Sequence, residues 1–339
     1  MNESRAKARR FTPGRVAAIA MTAVAVLMVI GTALGQLPLV WAQGSAPADT
    51  GDRIKVTTTV GMIADLARNV GGDRVAVTAL MGPGVDPHLY KPSARDVDRL
   101  NDADIIFYGG LHLEGRMVET FEAIGRTGKP TIAVSEQIPE EKLLTPPEFE
   151  GQHDPHIWFD VTLWMSALET VSRHLQEISP ADAASFQANA DAYRGQLEEL
   201  DAYVHQQIAR LPVERRVLVT AHDAFGYFGD AYGFEVRGLQ GLSTASETGA
   251  GDVQDLITFI VDRKLPAIFV ETSVSQATVD AVQAGAGARG WKIAIGGELF
   301  SDAMGEEGTP EGTYIGMVRH NVDTIVGALL GPDAESDED

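Results

Sequence analysis

From Pro180 to Leu211 no internal proline interrupts the chain, and apolar residues recur at three, four or seven positions: Phe186, Ala190, Tyr193, Leu197, Leu200, Val204, Ile208 and Leu211. That spacing predicts one helix, with Ser179 as its cap and Pro180 at its first position. At about 1.5 Å per residue such a helix is roughly 48 Å long, more than the width of a small domain. It is therefore expected to act as a spine joining two lobes.

The flanking sequence fits a lobe on each side. Ile54–Val60 is rich in β-branched residues and reads as a strand, Met62–Val70 as a helix ending at Gly71-Gly72, and Val75–Leu80 as a second strand. Strand, helix, strand implies a right-handed parallel crossover. A helix capped by Ser93, strands at 105–108 and 131–134, and helices at 117–124 and 161–178 continue the alternation. After Pro212 it starts afresh, with strands expected at 216–220, 235–239, 267–270 and 292–295 and helices near 225–232, 251–263, 276–286 and 313–330. The expected fold class is α/β: two lobes with parallel sheets, residues 54–179 and 212–331, joined by one long rigid helix over 180–211. Ligands of open α/β sheets bind beyond the carboxyl ends of the strands, which here places a site in the cleft between lobes.

The chain begins with Arg5, Lys7, Arg9, Arg10 and Arg15, an apolar run from Val16 to Leu34, and Val40-Trp41-Ala42 before polar Gln43-Gly44-Ser45. Residues 1–42 thus read as a cleavable export signal or, given the length of the run, an N-terminal membrane anchor, with 43–53 as linker. Either reading puts the folded part outside the cytoplasm, in a periplasm if the signal is cleaved. The chain has no cysteine, which excludes disulfides, thiolate metal sites and a lipid attached to cysteine. Without residues 1–42, 47 acidic residues face 22 Lys and Arg, a net charge of −25. Such a surface repels nucleic acid and favours cations. The acidic tail, 332–339, is expected to lie outside the fold.

Asp86-Pro87-His88 recurs as Asp154-Pro155-His156. Proline fixes its own φ and makes its predecessor extended, so the triplet aims an imidazole stiffly. Of the eight histidines only His88, His156 and His222 fall on loops at the expected cleft, and Asp302 adds a carboxylate from the second lobe. Three imidazoles and a carboxylate make a nitrogen and oxygen site for a divalent ion. His153 competes with its neighbour His156, while Glu271 could reach the ion or orient a ligand. His174 and His205 fall within helices and are set aside.

Asp86-Pro87-His88 with Lys91-Pro92-Ser93, His153-Asp154-Pro155-His156-Ile157-Trp158, Thr220 to Phe228, Val270-Glu271-Thr272-Ser273-Val274, and Leu299-Phe300-Ser301-Asp302 followed by Gly308 together resemble one family. It is the cluster A-I (cluster 9) solute-binding proteins, the metal-binding subunits of ABC importers for manganese, zinc or iron, and the resemblance covers about residues 54–331. It implies His88, His156, His222 and Asp302 as ligands, one divalent ion as cargo, and delivery to a membrane permease driven by a cytoplasmic ATPase. A monomer without enzymatic activity is implied too. The lipid-anchor cysteine of many members is absent. Manganese is favoured over zinc, because the loop 137–153 has a single histidine and because 220–228 with 237–244 resembles the manganese-importing members. The rival from another class is a secreted zinc metallohydrolase, which needs an open coordination position and a general base, and no HExxH helix is present. On adhesion the sequence is silent.

Overall fold

The computed structural model describes residues 53–149, 151–245 and 249–331. The expected export segment and acidic tail lie outside the described residues. In the first lobe β1 (Ile54–Thr58), β2 (Val75–Ala79), β3 (Ile105–Tyr108) and β4 (Thr131–Ala133) form one parallel sheet in the order β2-β1-β3-β4. Val56 pairs with Val77 on one side and Ile105 on the other. The central strands are buried on both faces because helices cover the sheet: Val56, Thr57 and Thr58 of β1 and Ile105, Ile106 and Phe107 of β3 are all buried. α1 (Gly61–Gly71) lays Met62, Ile63, Leu66 and Val70 into that core, and α2 (Ala94–Asp102) starts at Ser93, whose hydroxyl and the Asp96 carboxylate satisfy each other's backbone N–H groups. α3 (Val118–Gly125) and α4 (Val161–Ile178) complete the lobe, and the Asp160 carboxylate caps α4 by accepting from the N–H groups of Thr162 and Leu163.

The helix expected over 180–211 is α5, Ala183–Ile208, 26 residues and so roughly 39 Å long. It is shorter than expected because the Ser179 hydroxyl donates to the Asp182 side chain and closes a turn, with Asp182 N–H on the Ser179 carbonyl, instead of capping the helix. At the other end Arg210 and Leu211 tighten into three-residue turns. All eight apolar positions of the pattern are buried, so the periodicity reports one continuous packed face. Its first half is tied to α1, where Asn189 donates to the Val70 carbonyl and Tyr193 donates to Asp65 at 2.5 Å. Its second half is tied to the other lobe, where Tyr203 donates to Asp323 and Tyr232 donates to Asp201.

That lobe contains β5 (Val217–His222), α6 (Gly226–Tyr232), β6 (Glu235–Gln240), α7 (Ala250–Arg263), β7 (Ala267–Glu271), α8 (Ala277–Ala288), β8 (Ala294–Leu299) and α9 (Tyr314–Leu330). β5 pairs parallel with β6 and β7 with β8, and β5 lies beside β7. Two strands differ from expectation in a way that matters for the site. β5 runs on to His222 and β7 to Glu271, so both residues are the last of a strand instead of following it. β8 continues through Gly296-Gly297 to Leu299, beyond the strand expected at 292–295. Gly296 is needed for packing: a Cβ there would meet Phe269 at 2.7 Å and Ala328 at 2.9 Å. Every strand pair is parallel, so in each lobe the carboxyl ends gather at one edge.

Candidate metal centre

The two Asp-Pro-His triplets fold alike. Asp86 Oδ1 accepts from the His88 backbone N–H at 2.8 Å, and Asp154 Oδ1 accepts from that of His156 at 2.9 Å. Each is an Asx turn braced by proline, which aims the imidazole. The turns then diverge. Asp154 Oδ1 also accepts from His156 Nδ1 at 2.7 Å, whereas the Asp86 carboxylate accepts from the Thr244 hydroxyl of the opposite lobe at 2.5 Å.

From the second lobe, β5 ends at His222 and β7 at Glu271. The Glu271 carboxylate accepts the His222 backbone N–H at 2.8 Å and faces its Nδ1 at 2.5 Å. Asp302 follows β8 on a segment held from several sides. Asn321 of α9 donates to the Phe300 carbonyl and accepts from its N–H, the Ser301 hydroxyl meets Ser273, and the Trp158 indole donates to the Ser301 carbonyl at 3.0 Å.

With their Nδ1 atoms held by carboxylates, His156 and His222 turn Nε2 inward. His88 Nε2 lies 3.3 Å from His156 Nε2 and 3.6 Å from Asp302 Oδ2; Asp302 Oδ1 lies 3.5 Å from His156 Nε2, and Oδ2 lies 3.4 Å from His222 Nε2. Four donors around an ion at 2.0–2.1 Å in a tetrahedron stand roughly 3.3–3.4 Å apart. Among the described residues this is the one group of such side chains with all ligand atoms within 4.8 Å of one another. His88 is 4 % exposed and the other three 0 %. Neither Asp302 oxygen, nor His222 Nε2, makes a hydrogen bond within the protein. Buried polar atoms left so are costly, and a cation at their common focus satisfies all of them at once.

The charges are arranged for the same purpose. Burial pushes the His88 imidazole down to about 3, so it is neutral with a free lone pair at any ordinary pH. Burial would raise the Asp302 carboxyl, but the three imidazoles, His222 foremost, hold it well below the usual range and keep it anionic. Burial would likewise lower His222; the Glu271 and Asp302 carboxylates outweigh it and raise His222 well above its ordinary value. The residues fit a divalent ion held by nitrogen and oxygen.

Of the other candidates, Glu271 serves the His222 imidazole and stands outside the group of four. His153 points away: its Nδ1 meets the Thr145 hydroxyl at 2.9 Å, and its ring lines a separate surface cavity of about 830 Å³ beside β4. His174 pairs with Glu136 and Glu177 on the surface. Sequence reasoning missed Trp158, Tyr227, Thr244 and Asn321 as residues that hold the site, although Trp158, Tyr227 and Thr244 stand inside the quoted stretches. Tyr227 donates to the Asp154 carbonyl and accepts from the Leu144 N–H, tying the His156 segment to the second lobe.

Gly226 shows how tightly that tie is packed. A Cβ there would lie 2.7 Å from Asp154 Oδ2, and the carboxylate cannot retreat without releasing His156. Gly226→Ala is expected to lower metal affinity about 10–100-fold, as disturbing the partner of a metal-bound histidine does, while the protein stays folded. Zinc titration alongside a melting curve checks it; unchanged affinity would mean that Asp154 has room to move.

A family description, zinc-uptake complex component A, periplasmic (ZnuA), matches residues 56–328. The zinc-binding protein TroA of Treponema pallidum (strain Nichols) is 53 % identical over 298 residues, 88 % of this chain and 96 % of that protein. The manganese-binding lipoprotein MntA of Bacillus subtilis (strain 168) is 49 % identical over 286 residues, covering 84 % and 92 %. The solved structure of the periplasmic zinc-binding protein TroA superimposes with a TM-score of 0.80, covering 82 % of this chain and 99 % of that one. The chain belongs to the ZnuA family, the metal-binding solute-binding proteins of ABC importers that its motifs resemble.

Proposed function

We propose that this protein captures one divalent transition-metal ion outside the cytoplasm and hands it to an ABC permease powered by a cytoplasmic ATPase, with His88, His156, His222 and Asp302 as the ligands. The observation that carries the reading is the convergence of four buried donor groups, two from each lobe, on one point where neither Asp302 oxygen makes a hydrogen bond. Residues 54–179 and 212–331 act as the lobes and 180–211 as the spine, while residues 1–42 direct export. One chain supplies the whole site, so the working unit is a monomer. Catalysis is not part of this function: a catalytic zinc keeps a coordination position open to water, and here the ligands are buried and close on the ion from both lobes.

Within this reading manganese is the cargo we favour, with zinc next. Raw affinity runs the other way, since the divalent series puts manganese lowest. Both Asp302 oxygens are free and face the imidazoles, offering five donor atoms, and a higher count with carboxylate oxygen suits manganese better than a strict tetrahedron does. The relatives named above include a zinc-binding and a manganese-binding protein, so cargo is decided in cells. Deleting the gene is expected to lower cell-associated manganese and to arrest growth under manganese limitation. A defect rescued by zinc alone would overturn the manganese assignment and leave metal capture standing.

A further inference from the structure

Several cross-lobe hydrogen bonds fall on or beside the segments that carry the four candidate ligands. Thr244 reaches Asp86, Tyr227 reaches Asp154 and Leu144, the Trp158 indole reaches Ser301, and Tyr314 donates to the Trp158 carbonyl at 2.7 Å. Trp158 differs from the rest because one side chain touches both halves of the site. Its ring stands edge-on to the His156 imidazole at 5.2 Å, and its N–H holds the residue next to Asp302 across 143 positions of sequence.

We infer that Trp158 is a positioning residue for metal binding: its indole N–H fixes the Asp302 carboxylate against His156 and so couples the ligands of one lobe to those of the other. This rests on the ligand reading proposed above. The Asp302 carboxylate makes no hydrogen bond of its own, so its place is set by the backbone that carries it. Asn321 and Ser273 hold that backbone to its own lobe, and Trp158 holds it to the opposite one. A bond between lobes forms only while the ligands converge, and it therefore favours the metal-bound arrangement over one in which they stand apart. Ser301 is fully buried, so without the indole its carbonyl has no water to turn to.

The chain supplies its own control. Trp164 is as buried as Trp158, but its indole N–H has no partner, so Trp164→Phe removes the same atoms without removing a hydrogen bond. Zinc affinity by chelator competition, zinc release by stopped flow and the visible spectrum of the cobalt-loaded protein are compared for wild type, W158F and W164F. W158F is expected to bind zinc about tenfold more weakly, the effect of orphaning one buried carbonyl, through faster release, and to shift the cobalt bands as the carboxylate moves. W164F is expected to match wild type in all three. Equal affinity and identical cobalt bands in the two variants, whatever their melting temperatures, would reduce Trp158 to packing and overturn the proposal. Should W158F fail to fold, the wild-type protein with ¹⁵N-labelled tryptophan answers the question: the Trp158 indole resonance moves on zinc addition and that of Trp164 does not, and the reverse overturns the proposal. Failure of wild type to bind zinc would strike the ligand reading itself, a result distinct from either variant outcome.

Discussion

Alanine at Asp302 is expected to lower divalent-metal affinity by two to three orders of magnitude, and alanine at His88, His156 or His222 by a similar factor. A four-ligand zinc site is worth roughly 10–16 kcal/mol near neutral pH, about 3–4 kcal/mol for each ligand, which converts to about 10²–10³ in the dissociation constant. Losing Asp302 also removes the one anionic donor, leaving three imidazoles around a divalent charge. His153→Ala and His174→Ala are the controls, since one ring meets Thr145 at the rim of another cavity and the other pairs with glutamates on the surface. Calorimetric titration of the six variants separates the groups. A normal isotherm for His156→Ala, or a lost one for His174→Ala, would remove the ligand assignment.

The second large effect is one of pH. In the metal-free protein the Glu271 and Asp302 carboxylates keep a proton on His222 through neutral pH, because its pKa is raised well above the ordinary value. His88, lowered to about 3, carries none there. A metal ion needs the His222 lone pair and must expel that proton, so binding releases about one proton and weakens about tenfold for each unit by which pH falls below the raised pKa. The sign follows from the raised value: the protonated form, which competes with metal, gains as pH drops. Two pH units should therefore separate affinities by about a hundredfold. Calorimetry in buffers of different ionisation enthalpy counts the protons directly. In Glu271→Gln the imidazole loses its strongest acceptor, and proton release should shrink along with affinity; a wild-type count of zero would contradict the charge arrangement.

Much of this architecture is legible in local patterns because those patterns are themselves local physics. The helix expected at 161–178 runs over those residues, since Asp160 caps its start and Ser179-Pro180 ends it. The repeated Asp-Pro-His triplet is visible because a short turn aims each imidazole by itself. What the sequence hides is of two kinds. The strand expected at 292–295 continues through Gly296-Gly297, and Gly296 is there because Phe269 and Ala328 leave no room for a Cβ, with Thr324 crowding Gly297, a fact about neighbours far along the chain. Trp158 with Ser301, and Thr244 with Asp86, meet across 143 and 158 residues, and no spacing rule foretells which indole or hydroxyl will be opposite which carbonyl or carboxylate. The start of α5 differs from expectation for a smaller reason, a serine that bonds to an aspartate side chain instead of the helix it precedes.

The way the four donor groups are distributed along the chain bears on where the protein can first acquire metal. They stand at residues 88, 156, 222 and 302, each on a different turn or strand end, and no two of them are close enough in sequence to chelate an ion on an extended chain. A partly synthesised or unfolded polypeptide therefore cannot bring these four donors to one ion, and the site comes into being only when both lobes are built and joined. A chain that crosses a membrane before folding takes its ion from the compartment of arrival, so the metals of the compartment it left have no opportunity to occupy the site.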